Sequence, residues 1–337
     1  MVSDLLNRQA LDLRISVTDR CNYRCSYCMP LGKYEWVDRA EILTYEEITR
    51  LARIFISLGV ERIRLTGGEP LLRRDLDRLV AALSRLDGLK DLSLTTNGAL
   101  LPESAPALAA AGLKRVNVSL DTLDPGKFQS ITQRRTLGRI LEGLSVAKAH
   151  GLNPVRINTV VERGVNDDEI VPLIEFARSN GYSIRFIEFM DVGNVNNWRR
   201  DKIVSKEEIL AIIRKSFQIE EAGRRDGRAP SVDYRLSEGG PDIGIIASVT
   251  EPFCADCTRA RLTADGRLVT CLFSTEGHDI KRHLREGASD DFVRDFVSAV
   301  WARRRDRYSE ERFETAGKAG NKAADVRKKI EMISLGG

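Results

Sequence analysis

The chain predicts an α/β fold built on a parallel sheet, followed by a smaller α+β region. Through residue 190, six short β-branched segments alternate with segments whose apolar residues recur every three to four positions. Alternation of these two periods implies strands joined by right-handed helical crossovers. After Met190 the rhythm stops, and turn residues separate shorter strands. The pattern suits an open doubly wound sheet or part of a barrel. In both, ligands gather beyond the C-terminal ends of the strands.

Taken in order, the first strand covers 13–17 and runs into a loop holding Cys21, Cys25 and Cys28. A helix follows, with Thr44 as N-cap, Glu47 three residues on, and Ile48, Leu51, Ile54, Phe55 and Leu58 on one face until Gly59 stops it. The second strand, 62–66, ends in Gly67-Gly68-Glu69-Pro70. Further strands are expected at 91–95, 115–120, 155–161 and 184–190, with helices near 73–86, 102–111, 136–150 and 166–179. Residues 191–202 read as polar and irregular, 206–217 as a helix, and 221–231 as a loop rich in Gly and Arg. Strands near 232–236 and 243–249 come next, then a hairpin of 258–263 and 267–272 turning at Asp265-Gly266. The remainder is charged and helical, ending in Gly336-Gly337. The change of pattern divides the chain into 1–200 and 201–337.

Of 337 residues, 42% are hydrophobic and 30% charged, the balance of a globular protein with a sizeable core. No apolar run approaches membrane-spanning length, and the first residues lack the apolar stretch of an export signal, so a cytoplasmic location is expected. With 53 basic against 49 acidic residues the net charge is +4, too even for a nucleic-acid-binding surface. Only three histidines occur, which argues against His-rich metal sites and Ser-His-Asp chemistry.

All six cysteines fall into two groups of three. Cys21, Cys25 and Cys28 are spaced C-x3-C-x2-C; thiolates are soft ligands suited to iron–sulfur clusters, zinc or copper(I). A 4Fe–4S cluster usually takes four cysteines. Three would leave one iron open to a small ligand. A zinc knuckle would want a fourth ligand nearby. The second group, Cys254, Cys257 and Cys271, is spaced C-x2-C-x13-C; by spacing alone, zinc completed by His278 ranks ahead of a cluster.

The first cysteine spacing, with Tyr27 before its last cysteine and Leu13 to Met29 around it, resembles the radical S-adenosylmethionine (SAM) superfamily, and within it the GTP 3′,8-cyclase family of molybdenum cofactor biosynthesis. The resemblance runs from about residue 4 to 337. It implies a partial (βα)6 TIM-type barrel with a smaller α+β C-terminal domain carrying an auxiliary cluster. It further implies two 4Fe–4S clusters, on Cys21, Cys25 and Cys28 and on Cys254, Cys257 and Cys271, with SAM on the open iron of the first. In such enzymes the cluster cleaves SAM to a 5′-deoxyadenosyl radical, and GTP becomes (8S)-3′,8-cyclo-7,8-dihydroguanosine 5′-triphosphate. An electron donor and a downstream cyclic pyranopterin monophosphate synthase are the implied partners, with homodimerisation left open. The alternatives are a peptide-modifying radical SAM enzyme and a zinc-dependent nucleic-acid-binding protein.

By resemblance, Tyr27, Gly68, Glu69, Ser119 and Met190 serve SAM, Glu69 through its amino group. A carboxylate suits an ammonium partner. Taken alone, Gly67–Pro70 is an ordinary turn, Ser119 a polar turn residue and Met190 a core methionine. Thr95, Arg14, Arg64, Arg156, Arg259 and Arg261 are expected at the substrate, where guanidinium forks suit phosphate oxygens. One arginine is usually a surface charge. Yet Arg14, Arg64 and Arg156 sit inside apolar strands, where a lone buried charge is costly. Arg259 and Arg261 alternate and share one face. Gly336 and Gly337, a frayed tail by default, are expected by resemblance to enter the active site and, with Arg14, to serve catalysis. At positions 62 and 156 the family pattern suggests lysine where this chain has arginine.

Overall fold

The computed structural model describes residues 2–29, 32, 34–194, 197–312 and 328–336. Among them, twelve strands form one continuous sheet. The strands are β1 (Asp12–Ser16), β2 (Arg62–Thr66), β3 (Asp91–Thr96), β4 (Arg115–Ser119), β5 (Val155–Val161), β6 (Ser183–Glu188), β7 (Ile219–Arg224), β8 (Val232–Leu236), β9 (Ile243–Ile246), β10 (Arg259–Leu262), β11 (Arg267–Val269) and β12 (His278–Asp279). Their order is β12-β11-β10-β1-β2-β3-β4-β5-β6-β9-β8-β7. Strands β1 to β6 are parallel neighbours in chain order, the parallel sheet expected from the alternation and, by resemblance, the partial (βα)6 barrel. The later residues extend both edges: β10 lies parallel to β1 and β9 parallel to β6. Strands β7 and β12 are not paired with each other, so the ring stays open.

The crossover helices are α1 (Tyr45–Ser57), α2 (Leu76–Ser84), α3 (Leu101–Ala110), α4 (Pro125–Thr132), α5 (Leu137–Ala149) and α6 (Ile170–Asn180). The expected capping box forms: Thr44 Oγ1 accepts from Glu47 N at 3.1 Å, and Glu47 Oε2 accepts from Thr44 N at 2.8 Å. Two elements differ from expectation. Residues 219–224, placed largely in a loop, form β7, an edge strand whose polar residues lack the apolar alternation that marks a strand. Helix α4 was not anticipated, although Asp124 caps it and Pro125 opens it, both recognised start signals. Several boundaries also shift, because Pro70–Leu72 and Asp167–Glu169 form 3-10 turns ahead of α2 and α6.

The sheet is two-faced in a way that positions the site. Leu13, Ile15, Ile63, Leu65, Val116, Val118 and Phe186 are buried in the apolar core with the helices. Burying each such side chain contributes about 1.5–3 kcal/mol. The alternate residues face the barrel interior, and they are polar or charged: Arg14, Arg64, Thr95, Asn117, Arg156, Asn158 and Arg185.

Candidate active site

The first cysteine loop is tied down from three sides. Gly68 N and Glu69 N, just beyond β2, donate to Thr18 O and Arg20 O at 2.7 Å each. The end of α4 receives the loop's far side, with Arg24 N on Thr132 O and Ser26 N on Ile131 O. Tyr27 Oη donates to Asp121 Oδ2 at 2.7 Å. Here glycine is required at 68, because a Cβ would run into the carbonyl oxygens of Asp19 and Arg20. Gly68→Ala is therefore expected to displace the loop and lower the yield of iron-loaded protein more than about tenfold, with the barrel still folded by circular dichroism. Unaltered iron binding would contradict that role.

Cys21, Cys25 and Cys28 are half-buried and free of disulfides. Burial raises the Cys21 thiol to about 11 and Cys28 to about 12, and pushes Cys25 well above its usual range, with the neighbouring thiols adding to the last two. Metal loading must therefore displace protons from this loop. Among the described residues, no three His, Cys, Asp or Glu side chains converge to hold a single ion, and His278 forms no such group with the second triad. A 4Fe–4S cluster does not need that convergence, since each cysteine binds a different iron. In the first loop Cys25 and Cys28 are each raised by nearby thiols of the same triad, the proximity that ligands around one such cluster need.

A small pocket open to solvent adjoins Cys25 and is lined by Tyr27, Asn97, Ser119, Asp121 and Thr122 among others. Of the expected SAM residues, it gathers Tyr27 and Ser119 but not Gly68, Glu69 or Met190. Met190 is half-buried just past β6. Glu69 is 1% exposed and knits the ends of β2 and β3 together. Its Oε1 accepts from Leu71 N and Thr96 Oγ1, and its Oε2 accepts from Asn97 N at 2.7 Å. A carboxylate offers about four acceptor sites, so Oε2 has capacity left. Burial raises Glu69 to about 7, against the lowering effect of those hydrogen bonds.

The barrel interior is a basin of cations. In register, Arg64 of β2, Arg14 of β1 and Arg261 of β10 stand side by side. Desolvation lowers Arg64 to about 9 and Arg261 to about 10, and moves Arg14 well below its usual value; adjacent arginines push the same way. Across the basin, burial followed by neighbouring arginines brings Arg156 to about 8. Arg185, which sequence analysis did not select, is lowered to about 10 chiefly by burial. It lies between Ile184 and Phe186 with the alternation that had flagged the other strand arginines. Four buried polar atoms on this wall, Ser16 Oγ, Arg64 Nε, Thr95 Oγ1 and Asn158 Oδ1, have no hydrogen-bond partner.

Other arginines do have partners. Arg62 grips Asp12 with Nε on Oδ1 at 2.6 Å and Nη2 on Oδ2 at 3.2 Å, and reaches Asp226 at 3.1 Å. A lysine ammonium could not reproduce that fork, so arginine at 62 is explained by its two carboxylates. Arg115 pairs with Asp91 in the same layer. Among the described residues Arg156, the other departure, donates only to Asn117 Oδ1 at 3.4 Å.

The second cysteine loop is held by residues that sequence analysis missed. Arg8 donates to Cys254 O at 2.7 Å and Asp306 O at 2.8 Å, and Arg304 to Cys257 O at 2.7 Å. Both cations share Asp4. Phe253 sits under Arg224 and Arg259, at 5.3 and 5.0 Å. Arg259 Nη2 lies 3.3 Å from Cys257 Sγ. Burial raises the Cys257 thiol, but Arg259 and Arg304 outweigh it and hold it at about 6, while burial lifts Cys271 to about 12. Nothing in local composition marks Arg8 or Arg304, which lie 296 residues apart in sequence.

The C-terminal segment ends in the same basin. Arg261 Nη1 donates to Gly336 O at 2.9 Å and Leu335 O at 3.2 Å. Gly336 has φ 69° and packs so closely on Thr66 that a Cβ would not fit. Gly337 lies outside the described residues.

Comparison with known proteins places the fold and the family. The family model described as Radical SAM superfamily matches residues 15–177, and that described as Molybdenum Cofactor Synthesis C matches 182–310. Structures of Streptococcus suis SuiB share the fold. One, bound to S-adenosylmethionine, has TM-score 0.61 at 19% identity, covering 78% of this chain and 60% of that one. A second has TM-score 0.61 at 17% identity, covering 91% and 68%. Fold and cysteine loop define a radical SAM enzyme. The proteins named GTP 3′,8-cyclase from Staphylococcus aureus strains JH9 and N315 are each 45% identical over 342 residues, spanning 100% of this chain and 99% of theirs. The chain belongs to the GTP 3′,8-cyclase family.

Proposed function

We propose that this enzyme converts GTP to (8S)-3′,8-cyclo-7,8-dihydroguanosine 5′-triphosphate, with a 4Fe–4S cluster and SAM at Cys21, Cys25 and Cys28 and a second 4Fe–4S cluster at Cys254, Cys257 and Cys271. The observation that carries the substrate assignment is the arginine basin. Arg156 is buried and Arg14, Arg64 and Arg185 are half-buried on the same sheet face, and none of them forms an ion pair among the described residues. Such a cluster is costly unless a multiply charged anion enters it, and a triphosphate is that anion. Residues 1–200 would hold SAM, and 201–337 would add the second cysteine loop, Arg259, Arg261 and the tail.

When bound, the reduced first cluster and SAM supply the hydrogen-abstracting radical that opens ribose C3′ to ring closure on guanine C8. The chain's own residues bind, orient and shield. Arg14, Arg64, Arg156, Arg185, Arg259 and Arg261 would neutralise and fix the triphosphate. Thr95 Oγ1 and Asn158 Oδ1 offer unsatisfied polar contacts. The tail at Gly336 would close the basin against water. Ser119 and Tyr27 would line the SAM pocket, with Met190 at its edge. The protein would work in the cytoplasm; among the described residues no helix is long and apolar enough to cross a membrane. An electron donor and an enzyme consuming the cyclised triphosphate complete the proposed setting.

The substrate assignment is tested by equilibrium binding of GTP, GDP and guanosine to anaerobically loaded protein. Affinity should fall in that order, by about tenfold or more per lost phosphate contact. Equal affinity for guanosine and GTP would overturn it.

A pH test addresses Glu69. Its buried carboxyl, raised to about 7, is protonated below that pH and cannot pair with an ammonium. Because the folded value is raised, the neutral form is the favoured one, and the associated stability is lost as pH climbs through 7. SAM binding should therefore tighten between about pH 6 and 8, by up to about tenfold per pH unit, with proton release on binding. Glu69→Gln should remove that slope. A flat profile in the unmodified protein would remove Glu69 from the ammonium site.

A further inference from the structure

We propose that Asp191 is a positioning residue for the reaction, holding the C-terminal segment in the basin through a hub with Lys329, Tyr308 and Arg312. The inference rests on the reading that the tail serves the GTP site.

The hub joins four parts of the chain. Asp191 follows Met190 at the end of β6, on the SAM side. Lys329 Nζ donates to Asp191 Oδ2 at 2.9 Å, to the Asp191 carbonyl at 2.8 Å and to Tyr308 Oη at 2.8 Å. Tyr308 Oη in turn donates to Asp191 Oδ2 at 2.5 Å. Arg312 Nη2 lies 2.8 Å from Asp191 Oδ1 but makes no hydrogen bond to it, so it contributes charge rather than a directed contact. Tyr308 stacks on Phe273 at 4.4 Å, two residues beyond Cys271. One half-buried carboxylate thus links the SAM strand, the second cysteine loop and the tail. Burial would raise Asp191, but Arg312 and Lys329 prevail and keep it ionised.

From Lys329 the segment is guided inward. Asn194 receives Lys329 N on Oδ1 at 2.9 Å and donates Nδ2 to Lys329 O at 2.7 Å, while Ile330 N donates to Ser274 O at 2.9 Å. Ile333 and Leu335 are then buried, and Gly336 reaches Arg261 and Thr66. Among the described residues Lys329 brings the segment's cation into the hub, and its side chain is 8% exposed. A buried ammonium has no low-energy alternative to its carboxylate. Releasing it would free both the tail and Arg261, changing how substrate sits without touching either cysteine triad.

The test uses reconstituted full-length enzyme as Lys329→Met, Asp191→Asn and the conservative Lys329→Arg. Carboxypeptidase release of the terminal residues is followed by intact mass, and 5′-deoxyadenosine formed is compared with GTP consumed. Lys329→Met and Asp191→Asn should lose terminal residues about tenfold faster and make 5′-deoxyadenosine in excess of GTP consumed. Iron content should be unchanged, and Lys329→Arg should behave largely as the parent. Tail release at the parental rate in Lys329→Met would overturn the hub as anchor. Faster release with unchanged coupling would overturn its positioning role. Parent enzyme that leaves GTP untouched while cleaving SAM would instead sink the cyclase assignment.

Discussion

Cys25→Ser should abolish SAM cleavage, lowering 5′-deoxyadenosine formation more than about 100-fold, because even changes outside a metal's direct ligands cost 10–100-fold. Serine offers a hard, protonated oxygen where a soft thiolate is needed. Cys25 also has no substitute close by, since Cys21 and Cys28 are already committed to the same loop and the other three cysteines belong to the second loop. The backbone should tolerate the change: Cys25 O keeps accepting from Cys28 N at 3.0 Å and Met29 N at 3.1 Å. Loss of the brown iron–sulfur absorbance of one cluster, with secondary structure intact, is the accompanying signature. Retained 5′-deoxyadenosine production would remove Cys25 from the cluster.

The double variant Arg259→Ala, Arg261→Ala should weaken GTP binding by roughly 10²- to 10⁴-fold, since each charge-assisted hydrogen bond contributes about 1.5–3 kcal/mol. The two side chains share one face of β10, and Arg261 registers against Arg14. Their removal lowers a repulsion that already depresses Arg261 and Arg14 but also strips Leu335 O and Gly336 O of their donor, so the tail should loosen while the barrel stays folded. The first cluster should assemble normally. Calorimetry with GTP, paired with a thermal melt, separates the two effects. Unchanged affinity would reject a phosphate-binding role for this strand.

Much of the frame was legible because local pattern and tertiary placement agree. The strands at 62–66, 155–161 and 232–236 and the Thr44 capping box appear where the residues place them. Arg14, Arg64 and Arg156 were conspicuous because a guanidinium inside a β-branched strand has no cheap explanation. What escaped notice depends on contacts far apart in sequence. Arg8 and Arg304 clasp the second cysteine loop through its carbonyls, and Asp121 anchors Tyr27 across 94 residues. Strand β7 escaped because an edge strand needs only one partner and little apolar alternation. Arg185 carried the same signal as the other strand arginines and could have been found from it.

We propose that two cluster-bearing three-cysteine loops flank one triphosphate basin. This arrangement is tested most directly by iron and sulfide analysis of anaerobically reconstituted protein, with turnover on GTP, SAM and reductant in the same preparation. About eight irons per chain, the total for two 4Fe–4S clusters, with GTP consumed as 5′-deoxyadenosine forms, is the predicted result. About four irons together with zinc, and SAM cleaved while GTP persists, would contradict the account, leaving a cluster at the first loop and a different substrate for the basin.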